Sequence, residues 1–402
     1  MPKTNCCASL GDAMTSSDEI LNAAALLAQA EAETGFSDYG DDTLPARFGQ
    51  AVSYLQTQGM DAAGQRAAAS VCLWLLSTRL QLIADHERSA VAAEKIEKPL
   101  FATGEPRAGT TLLHALLSVD PNGRALRFWE VMYPSPPPGL AAPNDPRRAR
   151  ADEDWREILK RIPKWLISHP YNDMLGNGLP ECERTWAFDF RVMTPTAWWR
   201  VPMGMNIGGL PMDARAQYRL HKMMLQQCQF ARPRKYWVLK GFHGTRLQAL
   251  FETYPDARII WVHRDPVQCI ASRIVLTGEL VEALSGHVDW KEQARVHLAA
   301  SRAGFQATLD NPLVNDPRIH HVRYPDFIAD PVGTIRGFYE KSAVPFGADT
   351  EAAMRSYLQN NKADRYGKFR YSTDVIGADI AALHAQFEPY RQRFGLDIEK
   401  RN

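Results

Sequence analysis

Little in this chain points to a membrane, a metal or a nucleic acid. Six cysteines are scattered through 402 residues (Cys6, Cys7, Cys72, Cys182, Cys228 and Cys269) without metal-ligand spacing. That excludes a zinc module or a disulfide framework; apart from the adjacent Cys6-Cys7 pair it predicts reduced, mostly buried thiols. Charge of one sign is also lacking: 47 Lys and Arg stand against 46 Asp and Glu, a net charge of +1. Bulk charge therefore gives no reason to expect nucleic acid, and any basic site has to be local. No apolar run reads as a membrane span. The most apolar stretch, Ala67 to Ala84, is interrupted by Ser70, Arg79 and Gln81 and reads as a core helix. Met1 to Asp12 is too polar for a signal pattern, so a soluble cytoplasmic protein is expected. No internal repeat is visible, and 45% hydrophobic residues is ordinary globular composition.

What the chain does have is Pro99-Leu-Phe-Ala-Thr-Gly-Glu-Pro-Arg-Ala-Gly-Thr-Thr-Leu-Leu-His114. It predicts a short buried strand, a glycine-bounded loop and a helix starting at Thr110. Such a loop points backbone N–H groups and the positive end of a helix at one spot, which makes a phosphate cradle. Gly104-x4-Gly109 followed by Thr110-Thr111 has P-loop spacing, but Thr110 stands where the lysine of an ATP or GTP site belongs. Arg107 inside the loop supplies positive charge instead. A phosphate-bearing ligand is expected, and Mg-nucleoside-triphosphate hydrolysis is not.

Before this loop, three helices are predicted: one from the Ser17-Asp18 cap to Gly35, one over Ala46 to Gln58, and one over Ala62 to Ala93. They carry no constellation that suggests chemistry and read as a scaffold, residues 1–96, packed on the core. After the loop come Arg127-Phe-Trp-Glu130, the stiff Pro134-Ser-Pro-Pro-Pro138 and an aromatic-rich stretch holding Trp165, Tyr171, Trp186, Phe188, Trp198, Trp199, Tyr218, Phe230, Tyr236 and Trp237. Some of these must be core; others suit an acceptor pocket. Strands are predicted at Trp237 to Lys240, Arg258 to Arg264 and Ile319 to Tyr324, alternating with helices, one of them opened by Asp265-Pro266. The fold class is α/β: a parallel central sheet with a P-loop-like nucleotide site, flanked by helices. The core spans 97–345, with 130–235 as an acceptor-side insertion. Residues 346–402 form a basic tail, Lys362 to Arg370, and a helix over Ile380 to Phe394.

Read together, Pro106-Arg-Ala-Gly-Thr-Thr111, Leu239-Lys-Gly-Phe-His243 and Tyr254-Pro-Asp-Ala-Arg-Ile-Ile-Trp-Val-His-Arg264-Asp-Pro, with Ser272 beyond, resemble the sulfotransferases that use 3'-phosphoadenosine 5'-phosphosulfate (PAPS). The match is to the bacterial branch with a Pro-Arg-Ser-Gly-Thr-Thr loop and a Trp-Glu plus Pro-Pro-Pro segment after it. Tyr324-Pro-Asp-Phe, Asp330-Pro331 and Tyr366-Gly-Lys-Phe-Arg-Tyr371 are similar to that branch too, so the resemblance covers about residues 97 to 395.

The resemblance implies that Arg107, Ala108, Gly109, Thr110 and Thr111 hold the 5'-phosphate, and that Arg264 and Ser272 hold the 3'-phosphate. A surface ion pair of Arg264 with Asp265 is the plain alternative. Lys368 and Arg370 would close over the 3'-phosphate, or form a solvated patch. PAPS is the co-substrate, adenosine 3',5'-bisphosphate (PAP) the product, and no metal is expected. Arg107 and Lys240 would stabilise charge at the sulfuryl group; a guanidinium cannot donate its proton. For the base the order is Glu130, then His243, then His114. His243 sits in Lys-x-x-His, one residue longer than the family's Lys-x-His. The implied function is sulfuryl transfer to a hydroxyl, with an amine as second choice, of a partly apolar small molecule. The alternatives are a non-catalytic nucleotide-binding protein of the same fold and a P-loop kinase-like phosphotransferase.

Overall fold

Leu100-Phe-Ala-Thr-Gly104 is buried at every position and forms β1, the middle strand of the sheet. The computed structural model describes residues 20–88, 90–191, 212–232 and 235–399. Five parallel strands are ordered β2 (Gly123–Ala125), β3 (Tyr236–Lys240), β1, β4 (Arg258–His263) and β5 (Ile319–Arg323). Leu100 is in register with Val238 on one side and with Arg258 on the other. Apolar runs of this kind suit strands covered on both faces. From β1 the chain builds outward first toward β2, then toward β5. The crevice beyond the carboxyl ends of β1 and β4 is thus a topological switch point, where open α/β sheets bind ligands.

Two apolar layers sandwich the sheet. Phe101, Leu239, Ile259 and Trp261 join a cluster that runs into the N-terminal helices through Phe48, Leu75 and Leu76. Leu100, Ala102, Val238 and Ile260 pack with Leu113, Phe327 and Phe338 in the other. A buried polar clamp ties the N-terminal helices to the insertion: Arg47 meets Asp189 at 3.0 Å and Arg79 donates to the Phe188 carbonyl at 2.9 Å. Removing Asp189 would leave both guanidinium groups short of a partner in the interior, which is costly.

Several boundaries differ from the sequence reading. The Ser17-Asp18 cap lies outside the described residues; the helix carrying Ala24 and Ala28 spans Ala23–Thr34 and is capped by Asn22, whose side chain accepts from the Ala25 N–H at 2.9 Å. The helix expected over Ala62 to Ala93 spans Ala62–Arg88, with a separate 3-10 turn at Ala90–Ala93. By length and composition that helix is in fact apolar enough to cross a membrane, although 67% of its apolar window is buried inside the fold. The terminal helix is two, Ile380–Gln386 and Glu388–Phe394, the second with Pro389 in its first turn. Strand β2 went unpredicted because three residues carry no legible alternation. Tyr324 does not end β5; with Pro325 behind it, it opens the helix Tyr324–Ala329.

Cys72, Cys182, Cys228 and Cys269 are free and buried, while Cys6 and Cys7 fall outside the described residues. Among the aromatics, Trp186, Phe188, Tyr218 and Trp237 are core. Trp198 and Trp199 lie outside the described residues.

Candidate active site

The loop after β1 is shaped by its glycines. At Gly104 a Cβ would sit 2.6 Å from the Val262 carbonyl oxygen of the neighbouring strand. Gly109 has φ +93°, and a Cβ there would come within 2.9 Å of the Tyr324 ring. Both positions exclude larger residues, one by contact and one also by conformation. Gly109 is the N-cap of the helix Thr110–Ser118, which begins without a side-chain cap. Its first N–H groups and its dipole are therefore available to an anion.

That helix start opens into a cavity of about 700 Å³ lined by Arg107, Gly109, Thr110, Thr111, Lys240, Arg264, Ser272 and Lys368. Most of the residues expected to hold the donor thus share one space at the carboxyl edge of the sheet. Ala108 is buried beneath the loop and does not line the cavity; its N–H donates to the Glu105 carbonyl at 3.0 Å. Arg370 is exposed and lies outside the cavity wall, whereas Lys368 and Phe369 are part of it.

Arg107 ties the parts of the wall together. Its Nε donates to Ser272 Oγ at 2.9 Å, its Nη1 to the Ser168 carbonyl at 3.2 Å, and its guanidinium stands 4.9 Å over the Phe369 ring. Burial lowers its pKa to about 10, with the nearby Arg264 charge acting in the same direction, so it stays protonated at neutral pH. Arg264 leaves the end of β4, donates to the Arg107 carbonyl at 3.0 Å and covers the Tyr324 ring at 4.2 Å. Its Nε and Nη2 both reach the Glu399 carboxylate at 2.8 Å. The alternative of a surface pair with Asp265 is not what forms: Asp265 caps the helix Pro266–Ser285 and accepts the Glu399 N–H at 3.0 Å.

Lys240, at the end of β3, is ion-paired with Glu181. The segment carrying that glutamate is pinned to the strand: Cys182 N–H donates to the Lys240 carbonyl at 2.8 Å, and Glu183 accepts the Phe242 N–H at 2.5 Å. Glu183 is buried, and its pKa is pushed up to about 7 by that burial and then by the charge of Glu181.

The three candidate bases do not face this cavity. Both oxygens of Glu130 are taken: Oε1 by Arg124 Nη2 at 2.7 Å and Oε2 by the Arg127 N–H at 3.0 Å, as a capping box of the helix Phe128–Met132. His243 is fully buried, its Nδ1 2.6 Å from the Tyr218 hydroxyl and its ring edge-on to Phe101. Burial, followed by the charges of neighbouring groups, holds its pKa well below the ordinary histidine value. His114 is buried, its pKa lowered to about 3 by burial and then by Lys240 and Arg127.

Besides Ser168 and Asp364, two polar residues in the cavity wall went unnoticed in the sequence, Glu181 and His169. Neither stands at a motif spacing. The only signal was their place within an aromatic-rich insertion between two strands.

The family model described as the sulfotransferase family matches residues 99–347. Among curated proteins, the omega-hydroxy-beta-dihydromenaquinone-9 sulfotransferase Stf3 of Mycobacterium bovis is 27% identical over 261 residues. That match covers 61% of this chain and 62% of the relative, so less than two thirds of its length, and the Mycobacterium tuberculosis counterpart gives the same figures. The crystal structure of sulfotransferase STF9 from Mycobacterium avium superposes with a TM-score of 0.80 at 27% identity, over 97% of this chain and 100% of that one. Sulfotransferase STF1 from Mycobacterium tuberculosis shares the fold, with a TM-score of 0.75 at 24% identity over 91% of this chain and 98% of that one.

Proposed function

The chain belongs to the sulfotransferase family, and from that premise we propose that it moves a sulfuryl group from PAPS to a hydroxyl of a partly apolar small molecule. The observation that carries this reading is the single cavity that gathers an uncapped helix start with Thr110 and Thr111 and, beside it, a second anion-binding group made of Arg264 and Ser272. A nucleotide with phosphates at both its 5' and 3' positions needs two such anion sites, and a nucleoside triphosphate does not. The missing P-loop lysine argues against the kinase-like alternative for the same reason.

Thr110, Thr111 and the N–H groups of the loop hold the 5'-phosphate, while Arg264 exchanges Glu399 for the 3'-phosphate. Ser272 and Lys368 assist at that end. Arg107 and Lys240 neutralise the charge that grows on the phosphate oxygen as the sulfur leaves it. Transfer of this kind asks the protein mainly for in-line positioning and electrostatic stabilisation, by analogy with phosphoryl transfer. No step requires a proton from Arg107.

The acceptor's apolar character rests on the walls. Ile167, Pro170, Tyr171 and Leu276 line the main cavity, and a second cavity of about 210 Å³ adjoins it, sharing Ser168 and Leu276 and walled by Ile162, Trp165 and Leu280. The Mycobacterium relative's name, a sulfotransferase for a hydroxylated menaquinone, fits a hydroxyl on an apolar skeleton. Incubation of the protein with sulfur-labelled PAPS and a cell extract tests the proposal. A new sulfate ester detected by mass spectrometry is expected. Tight PAP binding with no labelled product in any extract would favour the non-catalytic alternative.

A further inference from the structure

Sulfuryl transfer to a hydroxyl needs somewhere for the hydroxyl proton to go, and none of Glu130, His243 and His114 faces the cavity. His169 does. Its ring stacks on Trp165, with centroids 4.1 Å apart and an interplanar angle of 14°, so its orientation is fixed by packing. Its Nδ1 lies 3.0 Å from Ser168 Oγ, and Ser168 Oγ also lies 3.0 Å from the Trp165 carbonyl. A carbonyl can only accept, so the single serine proton goes to Trp165. Ser168 Oγ then accepts from His169 Nδ1–H, and the tautomer left has its lone pair on Nε2. The same segment is held to the donor loop by Arg107, which donates to the Ser168 carbonyl at 3.2 Å.

Resting on the sulfotransfer reading above, we propose that His169 is the catalytic base that takes the acceptor's hydroxyl proton at Nε2. The acceptor oxygen forms its bond to sulfur as the bond from sulfur to the 5'-phosphate oxygen breaks. The electron pair of that bond leaves on the phosphate, and the proton ends on His169. Its surroundings keep the imidazole in the form this requires. Burial, then the positive charges of Arg107 and Lys240, hold its pKa well below the ordinary histidine value, so the ring is neutral at neutral pH. Two carboxylates also line the wall: Glu181, which is held by Lys240, and Asp364 on the tail.

The test compares two acceptors that differ in their need for a base. Dodecanol keeps its proton until transfer; 4-nitrophenol is already ionised at mildly alkaline pH. In His169→Gln the ratio of the dodecanol rate to the 4-nitrophenol rate is expected to fall roughly 10²-fold to 10⁴-fold, the usual contribution of a positioned base. Added imidazole is expected to restore part of the dodecanol rate in His169→Ala. Glu181→Gln is expected to lower both rates by a similar factor, through Lys240. A merely structural role for His169 would depress both acceptors alike, and that result overturns the assignment. So would a selective loss for dodecanol in Glu181→Gln with none in His169→Gln. Wild-type protein that binds PAP but gives no labelled product with either acceptor or with any cell extract would contradict the sulfotransfer reading itself, and the assignment with it.

Discussion

The proposed donor cavity has a loop side and an Arg264 side, and the two are built in different ways. On the loop side the available groups are backbone N–H groups at the start of the helix Thr110–Ser118, which has no side-chain cap and whose approach is set by Gly104 and Gly109. On the Arg264 side they are side chains, and two of them already have partners: Arg264 holds Glu399 through two bonds of 2.8 Å, and Ser272 accepts from Arg107 at 2.9 Å. A site made of backbone needs no reorganisation to bind, whereas a site made of side chains must change partners first. The loop end should therefore contribute most of the nucleotide's affinity and the Arg264 end most of its discrimination.

Arg107 joins the two sides, and its removal should have the largest effect. Arg107→Ala is expected to lower kcat by about 10²-fold to 10³-fold, the range for a lost charge-stabilising donor. Single-turnover rates measure this, with PAP affinity reported separately. An unchanged kcat would mean that the cation serves only to order the wall. Next comes Gly109→Ala. With φ at +93° and the Tyr324 ring 2.9 Å from the added Cβ, it strains the loop end by roughly 1–3 kcal/mol. Calorimetric PAP affinity should drop by about tenfold or more; full affinity would show that the loop end is not preorganised as described.

How much of this was legible in the sequence follows the same division. The loop was legible from its glycine spacing, and Lys240, Arg264 and Ser272 from their resemblance to the family's motifs; all but Ala108 of the loop residues named for the donor line the cavity. Glu130 and His243 were named by resemblance to the family's bases, and neither lines the cavity. Glu130 caps its own helix and pairs with Arg124; His243 lies against Phe101 in the core. His169 and Glu181 were not legible because tertiary pins deliver them, namely Arg107 to the Ser168 carbonyl and Cys182 N–H to the Lys240 carbonyl. No sequence spacing encodes contacts between segments so far apart. The split of the last helix was readable from Pro389 and was passed over.

Smaller effects sharpen the Arg264 side. Ser272→Ala removes one hydrogen bond and should weaken PAP binding by about 0.5–1.5 kcal/mol. Adenosine 5'-phosphate affinity should stay as it was, since that ligand does not reach this end. Equal losses for both ligands would place Ser272 elsewhere in the site. Glu399→Gln should act in the opposite sense and least of all. It frees Arg264 from a partly exposed ion pair, whose side chains are 12% and 24% exposed. The amide keeps an acceptor for the guanidinium while removing the competing charge, so PAP affinity should rise by a small factor. A fall instead would mean that Glu399 positions Arg264 for the phosphate rather than competing with it.

The most direct test of the two-sided donor site is the affinity of PAP relative to adenosine 5'-phosphate, measured by calorimetry in the wild type and in Arg264→Ala. The account predicts a clear preference for the bisphosphate in the wild type that largely disappears in the variant. Equal affinities in the wild type, or a preference that survives the loss of Arg264, would contradict it.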